Sequence, residues 1–157
     1  MRRVTIIAAV SGLLGCSTPP GPDLNPPVSD SVTVALPGYT ISVEAAPLEA
    51  RRGDTLTVTV KAKSQNGTPF TVIAYTSCDL FFSIETLAGA ALPLGIPCMN
   101  SETPVRFAPF EEKIRTYRFL VPQGDTFAPG TYRVVGMFGF GEYAGSRSTP
   151  VDLVIRP

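Results

Sequence analysis

The sequence contains no histidine and no tryptophan, and only three cysteines among 157 residues. Without histidine it lacks the commonest general base, the usual partner of a serine or cysteine nucleophile, and the ligand of most transition-metal sites. A Gly-x-Ser-x-Gly elbow, a glycine-rich phosphate loop closing on Lys-Ser or Lys-Thr, and a calcium loop of alternating acids are missing as well. No catalytic residue, metal site or cofactor is therefore predicted. Long apolar runs are also missing: Val4 to Leu14 spans about eleven residues, against the roughly 20 that a helix needs to cross a bilayer. Basic and acidic side chains balance at 13 each, so no basic surplus recruits nucleic acid.

What is present begins with Arg2 and Arg3 ahead of that short apolar run and a small residue, Gly15, the layout of a secretory signal. Leu13-Leu14-Gly15-Cys16 resembles the lipobox of bacterial lipoproteins. That resemblance implies that residues 1–15 are removed and that Cys16, carrying diacylglycerol, becomes the new N-terminus. Two or three acyl chains would hold the chain at a membrane, at ~0.8 kcal/mol per buried methylene. The alternative is an ordinary cleaved signal with Cys16 near the cut. Cleavage leaves eleven basic against thirteen acidic side chains, which directs expectation to another envelope protein or a glycan as partner. Ser17 stands where an inner-membrane lipoprotein would resemble the aspartate-bearing retention signal, so an outer membrane is expected in a host with two.

With Cys16 assigned to the lipid, Cys78 and Cys98 remain as an even pair in an oxidising compartment, and a disulfide is predicted. Two free buried thiols are the alternative. Residues 16–30 read as a tether, because Pro19, Pro20, Pro22, Pro26 and Pro27 favour extended polyproline II and cannot bury a core. At ~3.1 Å per residue it holds a domain some 40 Å from the membrane. A proline-rich recognition ligand is the other use of such a stretch.

Residues 31–157 show period-two alternation and little helical periodicity. Val32, Val34 and Leu36 alternate, as do Tyr39, Ile41 and Val43; Leu56, Val58, Val60 and Ala62 alternate with threonines and lysines. Asn66-Gly67 suits a hairpin turn that returns the chain into Phe70 to Thr76. Leu80 to Thr86, Ile114 to Val121, Tyr132 to Phe138 and Thr149 to Ile155 complete the strands. The connection from 87 to 113 is far longer than compact domains usually contain. The expected Cys78–Cys98 bond pins it against the sheet, with Val105 to Phe107 as a short edge strand inside it. The fold class expected is all-β: a single antiparallel immunoglobulin-like β-sandwich of about seven to eight strands.

Pro129-Gly130-Thr131-Tyr132-Arg133-Val134 resembles the penultimate strand of immunoglobulin-like and fibronectin-like modules, whose tyrosine ties down a corner. Together with Gly53-Asp54-Thr55-Leu56-Thr57-Val58 it also resembles the β-sandwich domain named after the BsuPI intracellular proteinase inhibitor, which implies inhibition as an alternative function. The candidate partner-binding residues are Phe140, Glu142 and Tyr143, in a glycine-rich stretch between the last two strands. The plainer reading folds those aromatics back over the core edge. Adjacent Glu111 and Glu112 point to opposite sides of an extended chain and read as a solvated loop. Arg115 and Arg118, three apart, are expected on opposite faces of their strand.

Overall fold

The computed structural model describes residues 34–36, 38–139 and 147–157. Cys16, the tether, and Phe140, Glu142 and Tyr143 lie outside them. Ten strands form: β1 (Val34–Leu36), β2 (Tyr39–Ala46), β3 (Glu49–Arg51), β4 (Thr55–Ser64), β5 (Phe70–Ala74), β6 (Leu80–Thr86), β7 (Thr103–Phe107), β8 (Glu112–Leu120), β9 (Gly130–Phe138) and β10 (Val151–Arg156). One sheet runs β1-β2-β4-β8, the facing sheet β3-β10-β9-β6, and β5 and β7 make a separate ribbon. The chain is an all-β sandwich.

Alternation builds the core. Leu56, Val58, Val60 and Ala62 are fully buried while Thr55, Thr57 and Lys63 face out. Ile41 and Val43 of β2 join them, opposed by Ile84, Val134, Leu153 and Ile155 of the other sheet. Burying each such side chain contributes about 1.5–3 kcal/mol. Gly136 faces the other sheet with no room for a side chain; a Cβ there would lie 3.0 Å from both Val43 Cβ and Val60 Cγ1. Tyr117, half-buried on β8, donates its hydroxyl to the Leu80 carbonyl of the facing sheet, and burial raises its phenol above the ordinary range.

The tyrosine expected at a corner is there. Tyr132, near the start of β9, donates its hydroxyl to Ala128 O at 2.8 Å, four residues upstream, as in immunoglobulin-like sandwiches. Tyr132→Phe keeps the packing and removes only this bond. We expect it to cost about 0.5–1.5 kcal/mol in urea unfolding; an unchanged midpoint would show that the corner is held by packing alone.

Three expectations are corrected. Asn66-Gly67 does not return β4 into β5: neither residue has a positive φ, and both sides of β4 are already taken, by β2 and β8. β5 instead pairs with β7, Phe70 opposite Phe107. The sandwich is not wholly antiparallel either, because β3 runs parallel to β10. This three-residue strand, too short to show a period, and the short β7 raise the count among the described residues to ten. The chain enters it through the cis Ala46-Pro47 bond, passing from one sheet to the other.

Candidate functional site

The long excursion after β6 organises the most elaborate surface of the domain. β6 is an edge strand, bonded within its sheet only to β9, and edges of this kind need cover. The chain turns at residues 87–90, with Gly89 at φ +87°, and comes back antiparallel along that edge. Thr86 N–H donates to Ala90 O and Leu92 N–H to Ile84 O, at 2.9 and 2.8 Å, and Glu85 bridges Ala91. At the far end Cys78 and Cys98 are joined as a disulfide, with Cα atoms 5.4 Å apart. Ser77 N–H then donates to Met99 O at 2.9 Å.

The two fixed ends share one register: Cys78 and Glu85 are seven residues apart on one side, Ala91 and Cys98 seven on the other. Between them no strand pairing forms over 93–97. Pro93 and Pro97 have no N–H to give a ladder, and Gly95, at φ +66°, bends the chain out of extended geometry. The side chains nevertheless keep period two, Leu92, Leu94, Ile96 and Cys98 turned inward and Pro93, Gly95 and Pro97 outward.

The gap left by the missing ladder is a cleft of about 400 Å³, within the size range of small-molecule sites. Its walls are largely apolar, with Phe81 and Met137 from the outer face of β6 and β9 opposite Leu92, Leu94 and Ile96. At its rim Glu85, only 6% exposed, accepts from Arg147 Nη2 at 2.5 Å and from Ser83 Oγ at 2.8 Å, both on Oε1. Arg147 is placed by pairing with Met137 across β9, and Ser148 fixes that pairing by accepting from Gly136 N–H at 2.9 Å. A buried carboxylate is tolerated because a cation and a hydroxyl satisfy it. The arrangement sets an apolar surface beside a carboxylate held by a guanidinium and a hydroxyl.

Of the residues singled out in the sequence, Cys78 and Cys98 come together, and Cys98 borders this cleft. Glu111 and Glu112 do not form a pair: Glu111 accepts from Ala108 N–H at 2.7 Å and Lys113 Nζ at 2.9 Å, while Glu112 opens β8 in solvent. The Ala108 N–H first, then Lys113, hold the Glu111 carboxyl below its usual range. Arg115 bonds Asp79 at 3.4 Å, whereas Arg118 lies exposed on the strand. Glu85, Arg147, Leu92, Leu94 and Ile96 were missed. The signal was available in Leu92-Pro93-Leu94-Gly95-Ile96-Pro97-Cys98, an apolar alternation whose off positions are all helix- and ladder-breaking residues.

No family model matches the sequence, and no curated protein matches it. Among solved structures, the CARDB domain of the PF1109 protein from Pyrococcus furiosus, in complex with di-metal ions, is similar at 16% identity over 77% of this chain and 96% of that one, with a TM-score of 0.44. Spo0M, a sporulation control protein from Bacillus subtilis, is 16% identical over 76% of this chain and 50% of its own, TM-score 0.48. The C-terminal domain of wzt is 13% identical, over 82% and 79%, TM-score 0.45. The chain spans 16% of a β-glucosidase from Listeria innocua at 12% identity, TM-score 0.45. Likenesses this distant carry no argument about activity. Among the described residues no three of His, Cys, Asp or Glu gather as metal ligands.

Proposed function

We propose that this chain is a lipid-anchored, non-catalytic binding module of a bacterial envelope, held through Cys16 and its proline-rich tether, in the outer membrane where the host has two. The observation that carries the reading is the disulfide-pinned excursion, which parts from its strand to leave an apolar cleft with a buried Glu85 paired to a partly exposed Arg147 at the rim. Its partner is another envelope protein or a glycan, and Phe140, Glu142 and Tyr143 are the proposed contacts.

Two measurements test this. Metabolic labelling with a clickable fatty acid should mark the protein and lose the mark in Cys16→Ala; label retained in that variant removes the anchor. Pull-down from native membranes should recover a partner that a Phe140→Ala/Tyr143→Ala variant loses. Recovery that is equal in both moves the contact elsewhere.

Met99 favours a second reading, proteinase inhibition of the BsuPI-like type. It is 71% exposed, follows Cys98 directly, and its backbone is tied to Ser77 at both N–H and carbonyl, each at 2.9 Å. An apolar side chain displayed on a fixed backbone is what a protease cleft accepts. Titration against a panel of serine proteases should then give stoichiometric inhibition that Met99→Asp abolishes. Ordinary cleavage at this residue without inhibition rejects it.

A further inference from the structure

We infer that the cleft between β6 and residues 92–98 takes a neutral amphiphile, an apolar chain bearing an uncharged hydroxyl-rich or amide head; this rests on the binding-module reading and names its ligand class. The body of the ligand follows from the walls. Leu92, Leu94 and Ile96 face Phe81 and Met137 across a space of about 400 Å³, and no strand pairing closes over 93–97. An apolar chain filling that space removes the half-buried Leu92, Leu94, Ile96 and Met137 further from water, over a floor formed by the already buried Phe81.

The head follows from the charge at the rim. Glu85 and Arg147 are in contact and sum to zero. A ligand carboxylate would meet the nearly buried Glu85, and a ligand ammonium would meet Arg147; either leaves a like charge opposed in a poorly hydrated site. A neutral head with both donors and acceptors suits the pair without dissolving it. Arg147, 44% exposed at its side chain, retains N–H donors. The described bonds to Glu85 both use Oε1, and a ligand hydroxyl would donate to the carboxylate beside them.

The test uses the full chain in native membrane vesicles and three photoactivatable probes of equal chain length: a monoacylglycerol, the corresponding carboxylate, and the corresponding trimethylammonium. Labelling is mapped by peptide mass spectrometry. The monoacylglycerol should label the peptides carrying Phe81 to Ile96 at least tenfold above the charged probes, saturably, and Leu94→Glu should lose that label while keeping its disulfide and circular dichroism. Glu85→Gln should turn the preference toward the carboxylate probe, and Arg147→Met toward the ammonium probe. A mere loss of fold would produce neither reversal. If a charged probe labels the wild-type cleft as strongly as the neutral one, the ligand class is overturned and the binding cleft stands. If no probe labels it above the Leu94→Glu background, the cleft as a binding site is overturned, while the pull-down above still decides the module reading.

Discussion

Phe107→Ala is expected to lower the unfolding free energy by about 3–5 kcal/mol, the range for truncating a buried aromatic. Phe107 is fully buried and belongs to neither sheet of the sandwich; it sits on the β5–β7 ribbon. Its ring stacks on Tyr39 of one sheet, centroids 5.9 Å apart at 8°, and tilts against Phe138 of the other at 5.8 Å. Phe70 stacks on it within the ribbon at 5.1 Å, and Lys113 Nζ lies 5.2 Å from its centroid. One side chain thus joins three β layers. Its neighbours are held by their own ladders, so the space it vacates cannot collapse, and the cavity cost adds to the lost transfer energy. The comparison is Ile73→Ala on the exposed side of the same ribbon, 45% exposed, which should stay within about 0.5 kcal/mol of the parent. A loss near 1 kcal/mol for Phe107→Ala would show instead that the ribbon docks loosely.

The second large effect is expected from Cys78→Ala/Cys98→Ala. The bond closes a loop of 20 residues' separation, and the chain-entropy model assigns about 3 kcal/mol to releasing it. Beyond the global loss, the consequences should be local. The Glu85–Ala91 bridge at one end and the two Ser77–Met99 hydrogen bonds at the other would then hold the excursion with no covalent link; the prolines and Gly95 provide no ladder in between. Hydrogen exchange should therefore lose protection at Ser77 and Met99, whose N–H groups donate to Met99 O and Ser77 Oγ at the disulfide end, before it changes at Val134 or Leu153 of the core. Wild-type protein treated with dithiothreitol should follow the variant. Uniform loss of protection across the molecule would mean that the disulfide holds the whole sandwich and not its cover.

Much of this could be read from one-dimensional pattern. Leu56, Val58, Val60 and Ala62 alternate with polar residues because β4 is central and faces the core on one side only, and the strand emerged with the expected inward set. Tyr132 could be placed because a proline-glycine turn ahead of a tyrosine has one common use at that point in a sandwich. Pairing was harder. Asn66-Gly67 carries a local hairpin preference, but β4 had already found β2 and β8, and eight- and nine-residue pairings outweigh one turn. The cleft was hidden for a related reason: Leu92, Leu94 and Ile96 obey the strand rule while their neighbours break it. Glu85 and Arg147 are 62 residues apart, and nothing in local composition joins them.

The parallel pairing of β3 with β10 reaches into biogenesis. β10 occupies an interior place in its sheet, with β3 on one side and β9 on the other, and Arg156 grips Glu49 across 107 residues of chain. A growing polypeptide that has not yet delivered residues 151–156 holds β3 without a neighbour and β9 with one flank open. Pairings this remote in sequence form slowly. Completion of this sheet therefore waits on residues 151–156, whatever the rest of the chain has already formed.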